Sequence, residues 1–476
     1  MSIVRRITKN TFWLAFSSIA SKLIGFGIVV LVARNLLSEG FGQYSFALSF
    51  GIIINVIADF GLSTLTNRDL ARDRSQTKNY LENIIVIKTV LMVAAFALLA
   101  IILGFIDKPL YVKITVFLAS LYIVIESYNT FFYAIFRANE KMQFETISRI
   151  LERGLILGLI AVFFKLGYGI FSVFVAYIAG ELASMIITAI IVYKKFCHFT
   201  FKIDLAQWKK FLKPSLFFAL TNVFIIVYFK IDVLMLSIMK NDRITGLYSS
   251  AYDLLFAFIF IPTIMNAVVF PRISFLAKNF FAKFKMLIQL LLKYFLIIAF
   301  PLSIGLYFTA PFLMKLIYGS DFLEAIPLFQ LMSIVMVFVF LNFINGSYLN
   351  ALDKQHISTI IAGICMVLNI AINLVLIPIL AAKGAAIATI ITEAVLALFS
   401  LLAIKKFTGE PKAEFIILSA KLILASLIAI GTGILTSAFH PILQGITACL
   451  TYSLAVFALG VFNAQDRPYF LELVRK

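Results

Sequence analysis

The stretch from Tyr80 to Gly104, YLENIIVIKTVLMVAAFALLAIILG, decides the fold. A helix needs about 20 mostly apolar residues to cross a bilayer, and this stretch exceeds that length. Thirteen others like it flank it: 11–34, 40–62, 110–136, 146–165, 168–193, 214–239, 246–271, 288–309, 325–350, 357–379, 384–404, 415–437 and 441–463. Helix breakers agree with these limits, since Gly40, Pro109, Gly167, Pro214, Gly246, Pro327, Gly384, Pro411 and Pro441 lie at or near predicted starts. The longest connections, 63–79 and 194–213, leave no room for an extramembrane catalytic domain. The expected fold is an all-α integral membrane protein with fourteen transmembrane helices.

Composition supports the same class. Of 476 residues, 62% are hydrophobic and 13% charged, against about 45–50% and about 25% in soluble domains. These proportions exclude disorder, a disulfide scaffold and an ordinary soluble enzyme. A net charge of +18 would suggest nucleic acid in a soluble protein. Here its distribution reports topology, and no nucleic-acid partner is expected. On the side of the termini lie 26 of the 41 Lys and Arg residues, with 8 on the opposite side, counting Arg34, Lys113 and Lys165 at their helix ends, and 7 within the spans. Cations accumulate in cytoplasmic loops, so both termini are expected in the cytoplasm and the protein in the cytoplasmic membrane of a prokaryote. Arg5, Arg6 and Lys9 before an apolar run to Ala33 mimic a signal peptide. No small-x-small cleavage site follows, which favours an uncleaved first span. Cys197, Cys365 and Cys449 form no CxxC pair, and His198, His356 and His440 fall in predicted loops, so neither a metal nor another cofactor is expected.

The chain repeats itself. Gly42-Gln43-Tyr44-Ser45-Phe46-Ala47 returns as Gly246-Leu247-Tyr248-Ser249-Ser250-Ala251, an offset of 204, and Arg68 meets Arg272 at the same offset. Arg137-Ala138-Asn139-Glu140-Lys141 is echoed by Asn350-Ala351-Leu352-Asp353-Lys354 at an offset of 213. Spans 1–6 and 7–12 therefore form two pseudo-symmetric six-helix lobes around a central cavity. Six is even, so both lobes enter the membrane the same way, as in transporters that rock two bundles against each other. The expected segments are 1–200, 201–408 and 409–476, the last an accessory pair of spans 13 and 14. Pro262 and Pro301 fall within spans 8 and 9 and are expected to kink them.

Charges at mid-membrane cost at least about 2.5–3.5 kcal/mol and normally face a cavity or a partner. Span 1 carries Lys22, span 5 carries Arg149, Glu152 and Arg153, and span 7 carries Lys230 and Asp232. One reading is a cationic cavity for an anionic headgroup, formed by Lys22, Arg149, Arg153 and Lys230, with Arg68, Arg137 and Arg272 at its cytoplasmic mouth. The other is structural, with snorkelling side chains and interhelical ion pairs, Arg149 and Glu152 among them. Lys88, Lys293 and Lys421 fit snorkelling. Asp59, Asp253 and Glu393 are candidates for a coupling proton or cation, or for ion pairing and capping. Tyr44, Tyr128, Tyr133 and Tyr248 could stack on sugars or simply pack.

The motifs also carry a family resemblance. Ala33-Arg34-Asn35-Leu36 continues through Phe41-Gly42-Gln43-Tyr44, and Ala58-Asp59-Phe60-Gly61-Leu62 and Asn67-Arg68 follow. Further matches are Tyr133-Ala134-Ile135-Phe136-Arg137-Ala138, Ile231-Asp232, Phe270-Pro271-Arg272, Tyr318-Gly319-Ser320-Asp321-Phe322, and Gly384-Ala385-Ala386-Ile387-Ala388-Thr389 with Glu393. From about residue 10 to residue 405 the chain resembles the oligosaccharide flippase (Wzx-type) branch of the multidrug/oligosaccharidyl-lipid/polysaccharide exporter superfamily. The resemblance implies a transporter, not an enzyme, that moves a polyprenyl-diphosphate-linked oligosaccharide to the outer leaflet for cell-surface polysaccharide synthesis. It implies as partners the bilayer, that lipid-linked sugar, and a polysaccharide polymerase with its chain-length machinery. Lipid-II flippases of the superfamily tend to carry a basic residue where Lys22 stands and an arginine downstream. Ile28 stands at that second position, which argues against lipid II as substrate. The alternatives are a multidrug or toxin exporter of the same superfamily, which should favour acidic cavity groups, and a membrane polymerase or glycosyltransferase.

Overall fold

The computed structural model describes residues 3–196, 204–408 and 413–462. Cys197, His198 and the basic C-terminal segment 464–476 lie outside them. Among the described residues there is no strand. Two compact units divide the chain, Met1–Gly246 and Leu247–Lys476.

The first unit begins with α1 (Ile3–Asp59), followed by α2 (Leu62–Arg72), α3 (Thr77–Phe105), α4 (Leu110–Ala138), α5 (Met142–Lys165), α6 (Ile170–Lys195) and α7 (Leu205–Met239). Helix α8 (Asp242–Ala257) carries the boundary within its first turns. The second unit continues with α9 (Phe260–Asn279), α10 (Phe281–Ile317), α11 (Ile326–Met332) and α12 (Val335–Ala351). It closes with α13 (Gln355–Leu380), α14 (Ala382–Thr408), α15 (Ala413–Leu435) and α16 (Pro441–Ala458).

Among the described residues, eleven helices are long and apolar enough to cross a membrane, and twelve when the pair bent by 50° between α11 and α12 is taken as one span. The protein is thus a multi-pass membrane protein. Helix α1 holds the first two predicted spans, which meet at Leu37 rather than Gly40. Leu37 has φ 58°, a left-handed conformation that interrupts the helix. Helix α5 is not among the eleven, because Arg149, Glu152, Arg153 and Lys165 crowd its apolar stretch.

The two prolines behave differently. The predicted span 246–271 breaks between α8 and α9, four residues before Pro262. Pro262 donates no hydrogen bond, and its ring clashes with the carbonyl four residues back, at Phe258. The backbone tightens there, with Phe258, Ile259 and Ile261 each bonding three residues back at 3.1 Å. Helix α10, in contrast, continues through Pro301.

The repeated Gly-x-Tyr motif has a packing reason. A Cβ on Gly42 would collide with the Asp242 carbonyl, and one on Gly246 with the Ser38 carbonyl. The two glycines bring the start of α8 backbone-to-backbone against α1, an approach that only hydrogen side chains permit. The tyrosines two residues later, Tyr44 and Tyr248, are buried.

The second unit packs α9, α10 and α12 around Phe284, Phe295, Phe340 and Tyr348. Helices α15 and α16 complete it by covering Leu296, Ile304 and Phe308 of α10 with small residues, among them Ala425, Ala429 and Ala448.

Candidate functional site

Three groups of ionisable residues in the first unit bear on the predicted site. At the end of α1, Asp59 is buried and paired with the fully buried Lys88 of α3, Nζ to Oδ1 2.6 Å. Lys88 also donates to the Ser127 hydroxyl (2.6 Å), the Ser127 carbonyl (3.0 Å) and the Ser63 hydroxyl (3.1 Å). Ser63 and Ser127 both donate to Asp59 Oδ1, the latter at 3.0 Å. Every ammonium hydrogen of Lys88 has an acceptor, the condition under which a buried charge is tolerated. Lys88 therefore does not snorkel: it ties α3 to α1, α2 and α4.

The second group runs along α5. Arg137 grips Glu145 with two bonds, Nε to Oε2 2.8 Å and Nη2 to Oε1 2.6 Å. Arg149 reaches the same Glu145 at 3.0 Å and lies over the Tyr133 ring, 4.5 Å from its centroid. Arg149 thus pairs with Glu145, one helical turn earlier, rather than with Glu152. Arg153 lies 3.2 Å from Glu126 and 3.2 Å from Glu152, and it donates to the Tyr122 hydroxyl at 3.3 Å. Beyond Glu152 stands Glu181 of α6, fully buried, whose Oε1 accepts from Asn129 Nδ2 at 2.6 Å. Asn129 also donates to the Glu181 carbonyl at 3.2 Å, and its own oxygen accepts from Thr188 at 2.8 Å. The Asn129–Glu181 contact pins α4 to α6.

The third group is a pair of lysines without an ion partner among the described residues. Lys22 is exposed on α1 and Lys230 half-buried on α7, and neither has an ion pair among the described residues. Asp232, two residues from Lys230, is buried. The structure thus separates the four predicted cavity cations: Arg149 and Arg153 share one carboxylate-rich network, while Lys22 and Lys230 stand outside it. Ile28, one turn and a half beyond Lys22, is fully buried.

Of the predicted mouth residues, Arg68 bonds the adjacent Asp69 at 2.6 Å and lies over the Phe218 ring. Burial alone would raise the Asp69 carboxyl; the hydrogen bonds from Arg68 and from Tyr80 (2.7 Å) outweigh it and hold the group below the usual carboxylate range. Arg137 is engaged by Glu145, as above. Arg272, in the second unit, lies over the Phe275 ring. Also in the second unit, Asp253 is half-buried on α8. Glu393 is buried and accepts from Asn342 Nδ2 at 2.7 Å, with the same amide reaching the Glu393 carbonyl at 3.3 Å.

The aromatic residues proposed for sugar stacking are mostly walled in. Tyr44, Tyr133 and Tyr248 are buried, and Tyr44 shares a hydrogen bond with Tyr177 at 2.8 Å. Tyr128 bonds Thr89 at 2.9 Å beside Lys88. No group of three or more His, Cys, Asp or Glu residues suited to a metal occurs among the described residues.

A helical membrane chain of this architecture belongs to a known class of transporter fold. Its similarity to the lipid II flippase MurJ in an inward closed conformation covers 97% of this chain and 99% of that one, with TM-score 0.69 and 18% identity. An inward-facing multidrug resistance MATE family transporter matches with TM-score 0.67 and 17% identity, over 82% of this chain and 96% of that one. The chain belongs to the polysaccharide biosynthesis protein family, whose model matches residues 7–277, within the multidrug/oligosaccharidyl-lipid/polysaccharide exporter superfamily. Among its relatives is a putative O-antigen transporter of Shigella flexneri, 26% identical over 391 residues, covering 75% of this chain and 87% of that protein. The teichuronic acid biosynthesis protein TuaB of Bacillus subtilis is 22% identical over 75% of this chain and 74% of its own length. A membrane protein of Methanocaldococcus jannaschii, MJ1068, is 26% identical over 206 residues, 42% of this chain and only 40% of that protein.

Proposed function

We propose that this protein is a flippase that carries a polyprenyl-diphosphate-linked oligosaccharide from the cytoplasmic to the outer leaflet by alternating access, for cell-surface polysaccharide synthesis. The observation that carries the reading is the pair Lys22 and Lys230: two lysines within hydrophobic helices, without ion partners among the described residues, in a chain of the polysaccharide biosynthesis family. A lysine at that depth needs an aqueous or anionic environment, and a diphosphate supplies the anion. In this reading Lys22 and Lys230 receive the headgroup. Arg149 and Arg153, already facing carboxylates, shape the same half of the cavity, and Arg68, Arg137 and Arg272 mark its cytoplasmic mouth. The sugars cross in the aqueous interior while the lipid tail stays in the bilayer. The topology that goes with this reading has fourteen crossings: α1 crosses twice, turning at Leu37, and α5 crosses with its charged face against α4 and its apolar face, Ile147, Leu151 and Leu155, outward to lipid. Both termini then lie in the cytoplasm of a prokaryote.

The test is a reconstituted flipping assay with a labelled polyprenyl-diphosphate oligosaccharide. A charge-assisted contact contributes about 1.5–3 kcal/mol, on the order of 10- to 100-fold in binding. Lys22→Ala and Lys230→Ala are each expected to raise the half-saturating substrate concentration by that factor. Wild-type kinetics in both variants would overturn the cationic site, and absence of flipping by the wild type would overturn the flippase.

A further inference from the structure

The turn between α9 and α10 presents an aromatic and basic surface. Helix α9 ends at Asn279, whose side-chain amide donates to the Phe275 carbonyl at 2.8 Å, and α10 begins at Phe281. Between them Phe280 leaves helical geometry, with φ −144° and ψ 71°. The inner residues of the turn are core: Ile273, Leu276 and Phe284 pack with Phe340 and Tyr348 of α12. The outer residues keep large rings in the open. Phe275 is 48% exposed, Phe280 53% and Phe281 41%. Around them stand Arg272, Lys278, Lys283 and Lys285, and the sequence has no acid from residue 254 to residue 320.

These rings are held in place. Phe275 and Phe280 lie with centroids 6.1 Å apart. Phe281 stacks on Phe284 at 5.6 Å, and Phe284 stacks on Tyr348 at 4.9 Å, so a surface ring is tied through a second to the core. Two cations lie over exposed rings, Arg272 over Phe275 at 5.7 Å and Lys285 over Phe281 at 5.1 Å. Groups fixed in this way lose little freedom when they bind.

The repeat supplies a control. Helix α3 begins at Thr77 and α10 at Phe281, an offset of 204, so the α2–α3 turn is the same element in the first half. From Arg68 to Glu82 that turn carries four cations and three acids. The equivalent stretch, Arg272 to Met286, has four cations and no acid. Asp69, Asp73 and Glu82 become Ile273, Ala277 and Met286, while Ala71, Gln76 and Thr77 become Phe275, Phe280 and Phe281. Membrane topology alone accounts for an excess of cations. It requires neither the loss of every acid nor three exposed phenyl rings at a helix end.

We propose that the α9–α10 turn is a binding site for anionic phospholipid. Phe275, Phe280 and Phe281 seat at the boundary between headgroups and acyl chains, and Lys278, Lys283 and Lys285 hold the phosphate. A free phosphate offers nothing to the rings, and a zwitterionic lipid brings no net charge to the lysines. A phospholipid of net negative charge satisfies both. The site stands on this turn and does not depend on the flippase reading.

The test places a fluorescent reporter in the turn. Phe280→Trp is made in the full-length protein with its two tryptophans replaced, Trp13→Phe and Trp208→Phe. It is reconstituted in phosphatidylethanolamine vesicles that contain brominated phosphatidylglycerol or brominated phosphatidylcholine. Bromine quenches the indoles it contacts. A lysine near an anionic surface contributes about five-fold in affinity, so half-maximal quenching should need at least about five-fold less phosphatidylglycerol than phosphatidylcholine. Replacing Lys278, Lys283 and Lys285 together by Gln should bring that ratio close to one. A Gln76→Trp reporter in the α2–α3 turn should give a ratio close to one without further change. Equal quenching by the two lipids at Phe280→Trp, or a preference that survives the triple Gln variant, overturns the site. An equal preference at Gln76→Trp also overturns it, because topology would then suffice. If the tryptophan-free background folds poorly, native mass spectrometry of the unsubstituted chain makes the same comparison. Phosphatidylglycerol should be retained over phosphatidylcholine, less so in the triple Gln variant, and equal retention overturns the site. Unlabelled polyprenyl diphosphate separates the two sources of lipid phosphate. Quenching by brominated phosphatidylglycerol should persist when a small mole fraction is added. Its relief would assign the turn to the diphosphate lipid and overturn the phospholipid site, whatever the flipping assay shows.

Discussion

The two halves of the chain contain the same bond in different company. Asn129 of α4 donates to the side chain and carbonyl of Glu181 on α6, at 2.6 and 3.2 Å. Asn342 of α12 does the same to Glu393 on α14, at 2.7 and 3.3 Å. The offsets, 213 and 212, continue the sequence repeat. Around this shared pin the halves diverge. At an offset of 213, Arg149, Glu152 and Arg153 become Ala362, Cys365 and Met366, Glu126 becomes Val339, and the Arg137–Glu145 pair becomes Asn350 and Ser358. At an offset of 204, Asp59 becomes Thr263, which bonds its own helix at Ile259, and Asp69 becomes the buried Ile273. The Asn–Glu pin therefore belongs to the architecture, a backbone-anchored clasp between alternate helices. The ion network on α5 belongs to the first half alone. A fold that can be built with alanine, cysteine and methionine at those positions does not need Arg149, Glu152 and Arg153 there, so their presence points to chemistry rather than packing.

The largest test of this asymmetry is the Asp59–Lys88 pair. Removing one partner of a buried ion pair leaves an uncompensated charge and costs about 3–5 kcal/mol. Lys88→Ala should lower unfolding stability in detergent by that amount, whereas Thr263→Ala in the second half should stay within about 1 kcal/mol of wild type. The double variant Asp59→Leu with Lys88→Met should recover most of the loss, because a well-packed apolar pair can replace a buried ion pair. A Lys88→Ala protein as stable as Thr263→Ala would remove the structural role assigned to this pair.

Lys88 also shows what a sequence can and cannot reveal here. Apolar runs of bilayer length, punctuated by glycine and proline, made the helical membrane class legible, and the repeated Gly-x-Tyr motif marked a place where α1 and α8 touch. Pairing was not legible. Lys88 and Asp59 stand 29 residues apart on different helices, so no helical spacing connects them, and a lysine near a span's end reads equally well as a snorkelling group. Within α5 the i,i+3 spacing pairs Arg149 with Glu152 and passes over Glu145, which lies four residues back on the same face. The choice is made by Arg137 on α4, which holds Glu145 where Arg149 can share it. In the sequence Glu181 is one more acid within a span for the same reason: its partner Asn129 is supplied by another helix.

The clasps themselves provide a smaller test. Truncating Asn129 leaves Glu181 buried without its donor, and truncating Asn342 does the same to Glu393. An unsatisfied buried polar group costs about 1–3 kcal/mol. Asn129→Ala should fall at the upper end of that range, since Glu181 is fully buried and Thr188 also loses one of its two acceptors. Asn342→Ala should fall nearer the lower end, with Cys365 as the neighbouring ionisable group. Equal losses in thermal unfolding would mean that the α5 network adds nothing to the energetics of the clasp.

The smallest difference is expected where the repeat is most faithful. Tyr44 bonds Tyr177 across α1 and α6 at 2.8 Å, and Tyr248 bonds Thr389 across α8 and α14 at 3.1 Å. Both tyrosines are buried, and both begin two residues after the repeated glycine. Removing either hydroxyl should cost about 0.5–1.5 kcal/mol, the net worth of a neutral hydrogen bond. Tyr44→Phe and Tyr248→Phe should therefore shift the unfolding midpoint alike, because each loses one bond and keeps the ring packing. A markedly larger loss for Tyr44→Phe would place Tyr177, which faces Glu126 and Arg153, inside the α5 network. That outcome would extend the asymmetry of the halves from α5 to the Gly-x-Tyr motif that otherwise unites them.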